Sequence, residues 1–191
     1  MNKSIFGALL ASSMVMTVAQ AADYSIDTHG AHASIQFKVS HLGYSFVVGR
    51  FNNFSGDFSY DASAPQASKV AVKIDTNSLD SNHAERDKHL RSSDFLNAGK
   101  FPEASFVSTG VESQADGTLA ITGQFTLNGV TKPLMIAANV VGEGQDPWGG
   151  YRAGFVGHTE FALKDYGISY DLGPASSKVQ LELVVEGVRK Q

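Results

Sequence analysis

There is no cysteine in this 191-residue chain, so no disulfide, thiolate nucleophile or thiolate metal ligand enters its chemistry, and stability must come from packing alone. Charge of one sign is also lacking. With 15 Lys and Arg against 19 Asp and Glu the formal net charge is -4, and no basic run interrupts the mild acidity, which argues against nucleic acid as a partner. No serine sits in a nucleophile-elbow context, which removes the commonest hydrolase signature. No repeat at a fixed period and no linker divides the chain, so its length fits one domain with a substantial core.

Long apolar runs are absent apart from one, at the start. "MNKSIFGALLASSMVMTVAQA" carries Lys3, an uncharged stretch from Ile5 to Val18, and a small-x-small triplet at Ala19, Gln20 and Ala21. This pattern predicts a secretory signal peptide over residues 1–21. The stretch is shorter than the roughly 20 residues a membrane span needs, and no basic stop-transfer flank follows. The remainder, 22–191, is then one exported domain, expected in the bacterial periplasm or outside a cell.

What fills that domain is alternation. "ASIQFKVS" places Ile35, Phe37 and Val39 on one face, and "KVAVKID" does so with Val70, Val72 and Ile74. The same period lines up Leu119, Ile121, Phe125 and Leu127 around Gly123; Leu134, Ile136, Ala138 and Val140; Phe155, Phe161 and Leu163; and Val179, Leu181, Leu183 and Val185. "GRFNNFSGDFSYD" and "EASFVSTGVES" supply two further strands, with Phe51 and Phe54 out of phase and demanding a bulge or bend between them. Asn128-Gly129 and Asp116-Gly117 are hairpin turns, so consecutive strands are antiparallel neighbours. About eight such strands predict an all-β, up-and-down antiparallel barrel, whose closure removes exposed edges. Of the twelve phenylalanines one, Phe6, lies in the leader; the other eleven can either fill the interior or line a slim channel, and Gly123 and Gly157 at inward positions favour room. Strand alternation is the same in both cases.

One stretch breaks the pattern. "HAERDKHLRSSDFL", residues 83–96, gathers charged groups, and Asn82 with Glu85 three residues later predicts a capping box opening a helix over 83–90. Pairs at i,i+4 (His83 with Asp87, Glu85 with His89, Asp87 with Arg91) can support it, but only Ala84 and Leu90 can bury. Such a helix needs tying down by hydrogen bonds or by Phe95 and Leu96 docking on the barrel rim. A metal site is disfavoured: at about 100° per residue His89 lies about 240° round from His83, so three ligands do not converge on the helix. Catalysis is disfavoured too, because Glu85 and Asp87 point to different faces. The cluster reads as a charge-paired rim, with Arg86 and Arg91 able to meet an anionic head group if a mouth opens there.

The blocks "HAERDKHLRSSDFLNAGKFPEASF", "ITGQFTLNGVTKPL", "DPWGGYRAGF" and "DLGPASSKVQLELVVEG" closely resemble those of the YceI family of periplasmic, lipocalin-like polyisoprenoid-binding proteins, and the likeness runs from "ADYSID" to the C-terminus. The resemblance implies an extended eight-stranded lipocalin-like barrel with a short helical insertion. Its apolar channel would hold a long isoprenoid lipid, such as an isoprenoid quinone or prenyl-diphosphate precursor. It implies non-catalytic binding with no cofactor and no metal, serving carriage, storage or a stress response. Strand parity nominates Phe37, Val39, Phe54, Phe58, Phe106, Ile121, Phe125, Ile136, Phe155 and Phe161 as ligand-binding. Arg86, His89, Arg91 and Trp148 stand as head-group or rim residues, Trp148 either closing the channel end, packing on the helix or anchoring a hairpin. The protein is expected as a monomer or homodimer that exchanges ligand transiently with membranes. The alternatives are an enzyme modifying the lipid head group, with His83 or His89 as base, and a stress-induced interaction module whose barrel is filled.

Overall fold

The computed structural model describes residues 21–170 and 172–191, so the leader expected over 1–21 lies, apart from Ala21, outside the described residues. The elements in chain order are β1 (Ala22–Ile26), β2 (Ser34–His41), β3 (Ser45–Phe51), β4 (Phe54–Tyr60), β5 (Lys69–Asp75), β6 (Leu79–Asp80), α1 (Ala84–Arg91), β7 (Glu103–Ser113), β8 (Leu119–Leu127), β9 (Val130–Gln145), β10 (Tyr151–Ala162) and β11 (Lys178–Arg189).

These eleven segments trace eight strand paths. β1 and β2 lie end to end along β11, β3 and β4 lie end to end beside them, and β6 extends the path of β5. Each path is antiparallel to its neighbours, and the ring closes where Tyr24 faces Arg189 and Ile26 faces Gly187. The eight-stranded antiparallel barrel with one short helix is therefore the observed fold. The misfit of Phe51 and Phe54 is the junction of β3 and β4: Asn52 and Asn53 step out of register, held by the Ser78 carbonyl at 3.1 Å and the Ser78 hydroxyl at 2.9 Å. β1 was not foreseen, because five residues of mixed polarity give too short an alternation to register.

Path directions sort the loops into two ends. The β2–β3 turn, α1 with its flanks, the Asn128-Gly129 turn and residues 163–177 cluster at the helix end. The loop 61–68, the turns 114–118 and 146–150, and both termini of the barrel lie at the far end. Asn128 (φ 50°) and Gly129 (φ 74°) adopt the left-handed conformations a tight hairpin of this hand requires.

The helix begins one residue later than expected. Asp80 accepts the Asn82 N–H at 2.8 Å and Asn82 sits at φ 60°, so it belongs to the preceding turn, and the imidazole Nδ1 of His83 caps the Arg86 N–H instead. The expected i,i+4 ion pairs are replaced by contacts off the helix. Buried Asp87 accepts from the Ser81 N–H at 2.9 Å and from the Ser81 hydroxyl, His89 meets Asp94 at 3.0 Å, and Arg91 donates to the Leu79 carbonyl at 2.8 Å. Phe95 and Leu96 are buried beneath it, as the anchor "DFL" requires. Acidic Glu85 and Asp87 in the first turn and basic Lys88, His89 and Arg91 in the last complement the helix dipole.

Two sequence expectations change. Val140 leaves the inner face: a bulge between Gly154 and Phe155 shifts the register with β9, and Val140 is 39% exposed. Gly123 does not leave empty room, because the ring of Phe106 lies over it: a Cβ there would fall 2.4 Å from Phe106 Cζ. Phe37 covers Gly49 and Phe58 covers Gly187 in the same way. Inner glycines thus let phenylalanine rings lie flat on the barrel wall instead of crossing the interior.

Candidate functional site

With three rings laid against the wall, the interior stays open. It consists of two chambers in series. The larger, about 620 Å³, occupies the helix end, and the smaller, about 130 Å³, runs toward the far end. Ile35, Ile74, Phe125 and Leu181 line both and form the constriction between them. The larger chamber alone falls within the roughly 300–1,000 Å³ range of small-molecule sites.

All ten positions nominated by strand parity face these chambers. Phe37, Val39 and Phe161 line the larger; Phe54, Phe58, Phe106, Ile121, Ile136 and Phe155 line the smaller; Phe125 belongs to both. The remaining wall of the smaller chamber is apolar except for Ser59, Ser68, Lys69 and Thr159. Its far end is crowded by aromatic rings, with Tyr24 stacked on Phe58 at 4.9 Å and the Phe155 ring set edge-on to Phe58 and Tyr60. Burial raises the hydroxyl pKa of Tyr24, Tyr60 and Tyr166, so these rings stay neutral at physiological pH and bring no phenolate into the interior.

Polar groups collect at the helix end. Arg86 and His89 line the larger chamber together with Ser40, His41 and Ser176. Arg86 is held by its own Nε–H, which donates to the Ser81 hydroxyl at 2.7 Å, while His89 stands edge-on to Phe95 and Tyr170 with its Nε2 at Asp94. Arg91 and Trp148 stand elsewhere. The Arg91 guanidinium is committed to the Leu79 carbonyl and faces neither chamber. Trp148 is 80% exposed in the β9–β10 turn, at the opposite end from α1, with the Arg152 guanidinium 5.9 Å from its ring. It neither closes the channel nor packs on the helix.

Sequence reasoning missed part of the larger chamber: Val47, Leu79, Ile168, Tyr170 and Leu172 also line it. Val47 lies in the run "SFVVG", where apolar residues on both faces hide the parity. Ile168, Tyr170 and Leu172 sit on an irregular connection with no period to read, although their own alternation, every second residue apolar, is a weak signal.

Among the described residues one group has metal-ligating potential. Asp27, His32 and Glu186 bring ligand atoms within 4.8 Å of one another. The Arg152 guanidinium already sits among them, 2.8 Å from Asp27 and hydrogen-bonded to Glu186, and also 2.8 Å from Asp146. That arrangement holds the Asp27 carboxyl down to about 2, through Arg152 first and then the Gly30 N–H, and it ties the excursion 27–33 to the barrel wall. The acidic group therefore has its cation in the form of arginine. Among the described residues neither His83 nor His89 forms a triad with a nucleophile: Nδ1 of His83 accepts from the Arg86 N–H and Nε2 of His89 meets Asp94.

The YceI-like domain matches residues 24–187. A UPF0312 protein of Shewanella sp. (strain MR-4) is 69% identical over 191 residues, covering the whole of both chains. Among solved structures, the Campylobacter jejuni YCEI protein is 27% identical with a TM-score of 0.72, covering 81% of this chain and 91% of its own. A polyisoprenoid binding domain from Saccharophagus degradans shares the fold at 15% identity and a TM-score of 0.64, over 89% of this chain and 99% of that one.

Proposed function

The chain belongs to the YceI-like family, and from that premise we propose that it is a non-catalytic periplasmic protein that holds a long isoprenoid lipid, an isoprenoid quinone or a prenyl-diphosphate precursor, inside its barrel. The observation that carries this reading is the pair of apolar chambers joined at Ile35, Ile74, Phe125 and Leu181, with polar side chains gathered at the helix end of the larger one. The chain would lie tail-first toward the far end, leaving its head group near Arg86 and His89. The solved Saccharophagus degradans domain of the same fold is described as polyisoprenoid binding, which agrees with this use of the barrel.

Free energy favours such a host. Each five-carbon isoprene unit withdrawn from water gains about 4 kcal/mol at about 0.8 kcal/mol per carbon, so a long chain has negligible solubility without cover. A bilayer offers a similar gain, which lets a dry channel give up or take ligand with little net change. Carriage, storage and a stress response all draw on this property.

The test is native mass spectrometry of protein purified from periplasm without detergent, followed by organic extraction. A stoichiometric isoprenoid, recovered unchanged after prolonged incubation, is expected. An apoprotein that also takes up no isoprenoid from solution overturns the proposal, and a chemically altered lipid would move it to head-group catalysis. Phe125→Asp, which sets a carboxylate in the constriction, should abolish retention, and undiminished retention would remove Phe125 from the channel.

A further inference from the structure

The β2–β3 hairpin is the least covered apolar part of the described molecule. Leu42 is 56% exposed, Tyr44 90%, Phe46 56% and Val48 53%. Leu42 holds a φ of 54°, a conformation disfavoured for a branched side chain, and its N–H is tied to the Ser176 hydroxyl at 3.4 Å. Exposed apolar side chains are ordinary when scattered; a contiguous group of them marks a contact surface. This group sits at the channel mouth. Leu42 lines the larger chamber, and across the opening Tyr170 and Leu172, also part of its lining, are 45% and 37% exposed. The apolar interior thus continues onto the outer surface at one place.

The charge of the hairpin is as distinctive as its apolarity. From Thr28 to Gly56 the sequence has no Asp or Glu, in a chain with a net charge of -4. Of the hairpin's two cations, Arg50 lies away from the tip opposite Asp80 of β6, which answers its charge, whereas Lys38 points outward on the face that bears Phe46 and Val48: it pairs with Val48 in register, and its ammonium lies 3.9 Å from the Phe46 ring centroid. Among the described residues, Ser45–Gly49 of β3 has no strand partner on the side away from β2, since β6 reaches only Arg50 and Phe51. An open edge can recruit another strand. A second copy joined through this hairpin, however, would bring Lys38 toward its own counterpart with no carboxylate on the hairpin to answer it. An anionic lipid surface answers both the charge and the apolar tip. Tyrosine, with an apolar ring and a polar hydroxyl, suits the headgroup layer.

We propose that this hairpin docks the mouth of the barrel on an anionic bilayer, with Leu42, Tyr44 and Phe46 entering the interfacial layer while Lys38 meets lipid phosphates. The inference rests on the lipid-binding reading for its purpose, but the surface itself is independent of it. Docking in this pose opens the larger chamber directly onto the acyl region, so that a ligand passes between bilayer and barrel without exposure to water.

The test is flotation of the protein with vesicles of phosphatidylethanolamine and phosphatidylglycerol, compared with phosphatidylcholine vesicles. Tyr44→Ser/Phe46→Ser and Lys38→Gln are assayed beside the unsubstituted protein. In parallel, geranylgeraniol binding is measured in vesicle-free solution, together with the sedimentation coefficient over a range of concentrations. Preferential binding to the anionic vesicles is expected, weakened by salt, reduced about tenfold or more in Tyr44→Ser/Phe46→Ser and about fivefold in Lys38→Gln, with geranylgeraniol binding unchanged in solution. Equal partition of the protein and both variants, or none, overturns the docking surface even if geranylgeraniol binds. A concentration-dependent dimer lost in Tyr44→Ser/Phe46→Ser overturns it in favour of a second copy. Vesicle docking without any geranylgeraniol binding leaves the surface standing and removes the carrier reading.

Discussion

Replacing Leu181 by phenylalanine should shorten the chain that the barrel can hold. Leu181 is 8% exposed, is the fourth residue of β11, and lines both chambers, so an added ring at this point stands in the constriction. If a methylene-sized group takes roughly the 30 Å³ that one water occupies in the liquid, the 130 Å³ chamber holds about four of them, close to one isoprene unit, and the 620 Å³ chamber about twenty. At about 0.8 kcal/mol per carbon, exclusion from the smaller chamber forfeits about 3 kcal/mol, or roughly two orders of magnitude in affinity, but only for ligands long enough to reach it. The assay is fluorescence displacement by a series of prenyl alcohols of increasing length. Affinity in the unsubstituted protein should keep rising until both chambers are full, whereas in Leu181→Phe it should level off about one unit earlier, with short alcohols bound equally by both. Overpacking costs about 1–3 kcal/mol of stability, which a thermal melt will register separately. Parallel length profiles in the two proteins would refute the idea that the ligand threads the constriction.

Three further outcomes follow from the geometry. Gly123→Ala puts a Cβ 2.4 Å from Phe106 Cζ and 2.6 Å from the Val107 carbonyl, so it should cost about 1–3 kcal/mol and lower Tm by several degrees, partly restored by Phe106→Leu in the same chain. Asp87→Ala removes the acceptor of the Ser81 N–H and hydroxyl and should lower Tm by an amount corresponding to about 1–3 kcal/mol, with hydrogen exchange rising first in residues 81–91. The Asp27 carboxyl, held near pH 2 instead of its usual 3.8, contributes stability that is complete above about pH 4 and lost as pH falls toward 2. That contribution is at most about 2 kcal/mol, and nearer 1 after solvent screening. The Tm difference between the unsubstituted protein and Arg152→Ala should therefore be greatest near neutrality and shrink below pH 4; a difference independent of pH would assign the effect to lost packing.

Local patterns carried the fold a long way. Alternation marked six of the eight strand paths directly and two further segments supplied the others, while the phase error between Phe51 and Phe54 located the junction of β3 with β4. The channel wall was legible for the same reason, since strand parity alone separates Phe125 and Ile136 from Gln124 and Ala137. Openness was not legible. Whether Phe106 crosses the interior or lies on Gly123 depends on a glycine in a neighbouring strand, a relation that no period within one strand contains. The helix cap was misplaced by one residue because the capping-box pattern ignores competition: Asp80 engages Asn82 first. The mouth escaped too, because "HLGYSFVVG" reads as an ordinary hairpin until its exposed side chains are seen beside Tyr170 and Leu172.

The seam between β1 and β11 bears on how the molecule is made. Every other neighbouring pair of paths is joined by one connection of the chain, but this pair brings Tyr24 to Arg189, the beginning of the domain to its end. Such a contact raises the mean sequence separation and slows folding, since the loop it closes is almost the whole chain. During synthesis the sheet can zip from hairpin to hairpin, yet it keeps two bare edges until Lys178–Arg189 arrives. Until that moment there is no sealed interior, and the polypeptide is at its most prone to associate with others of its kind.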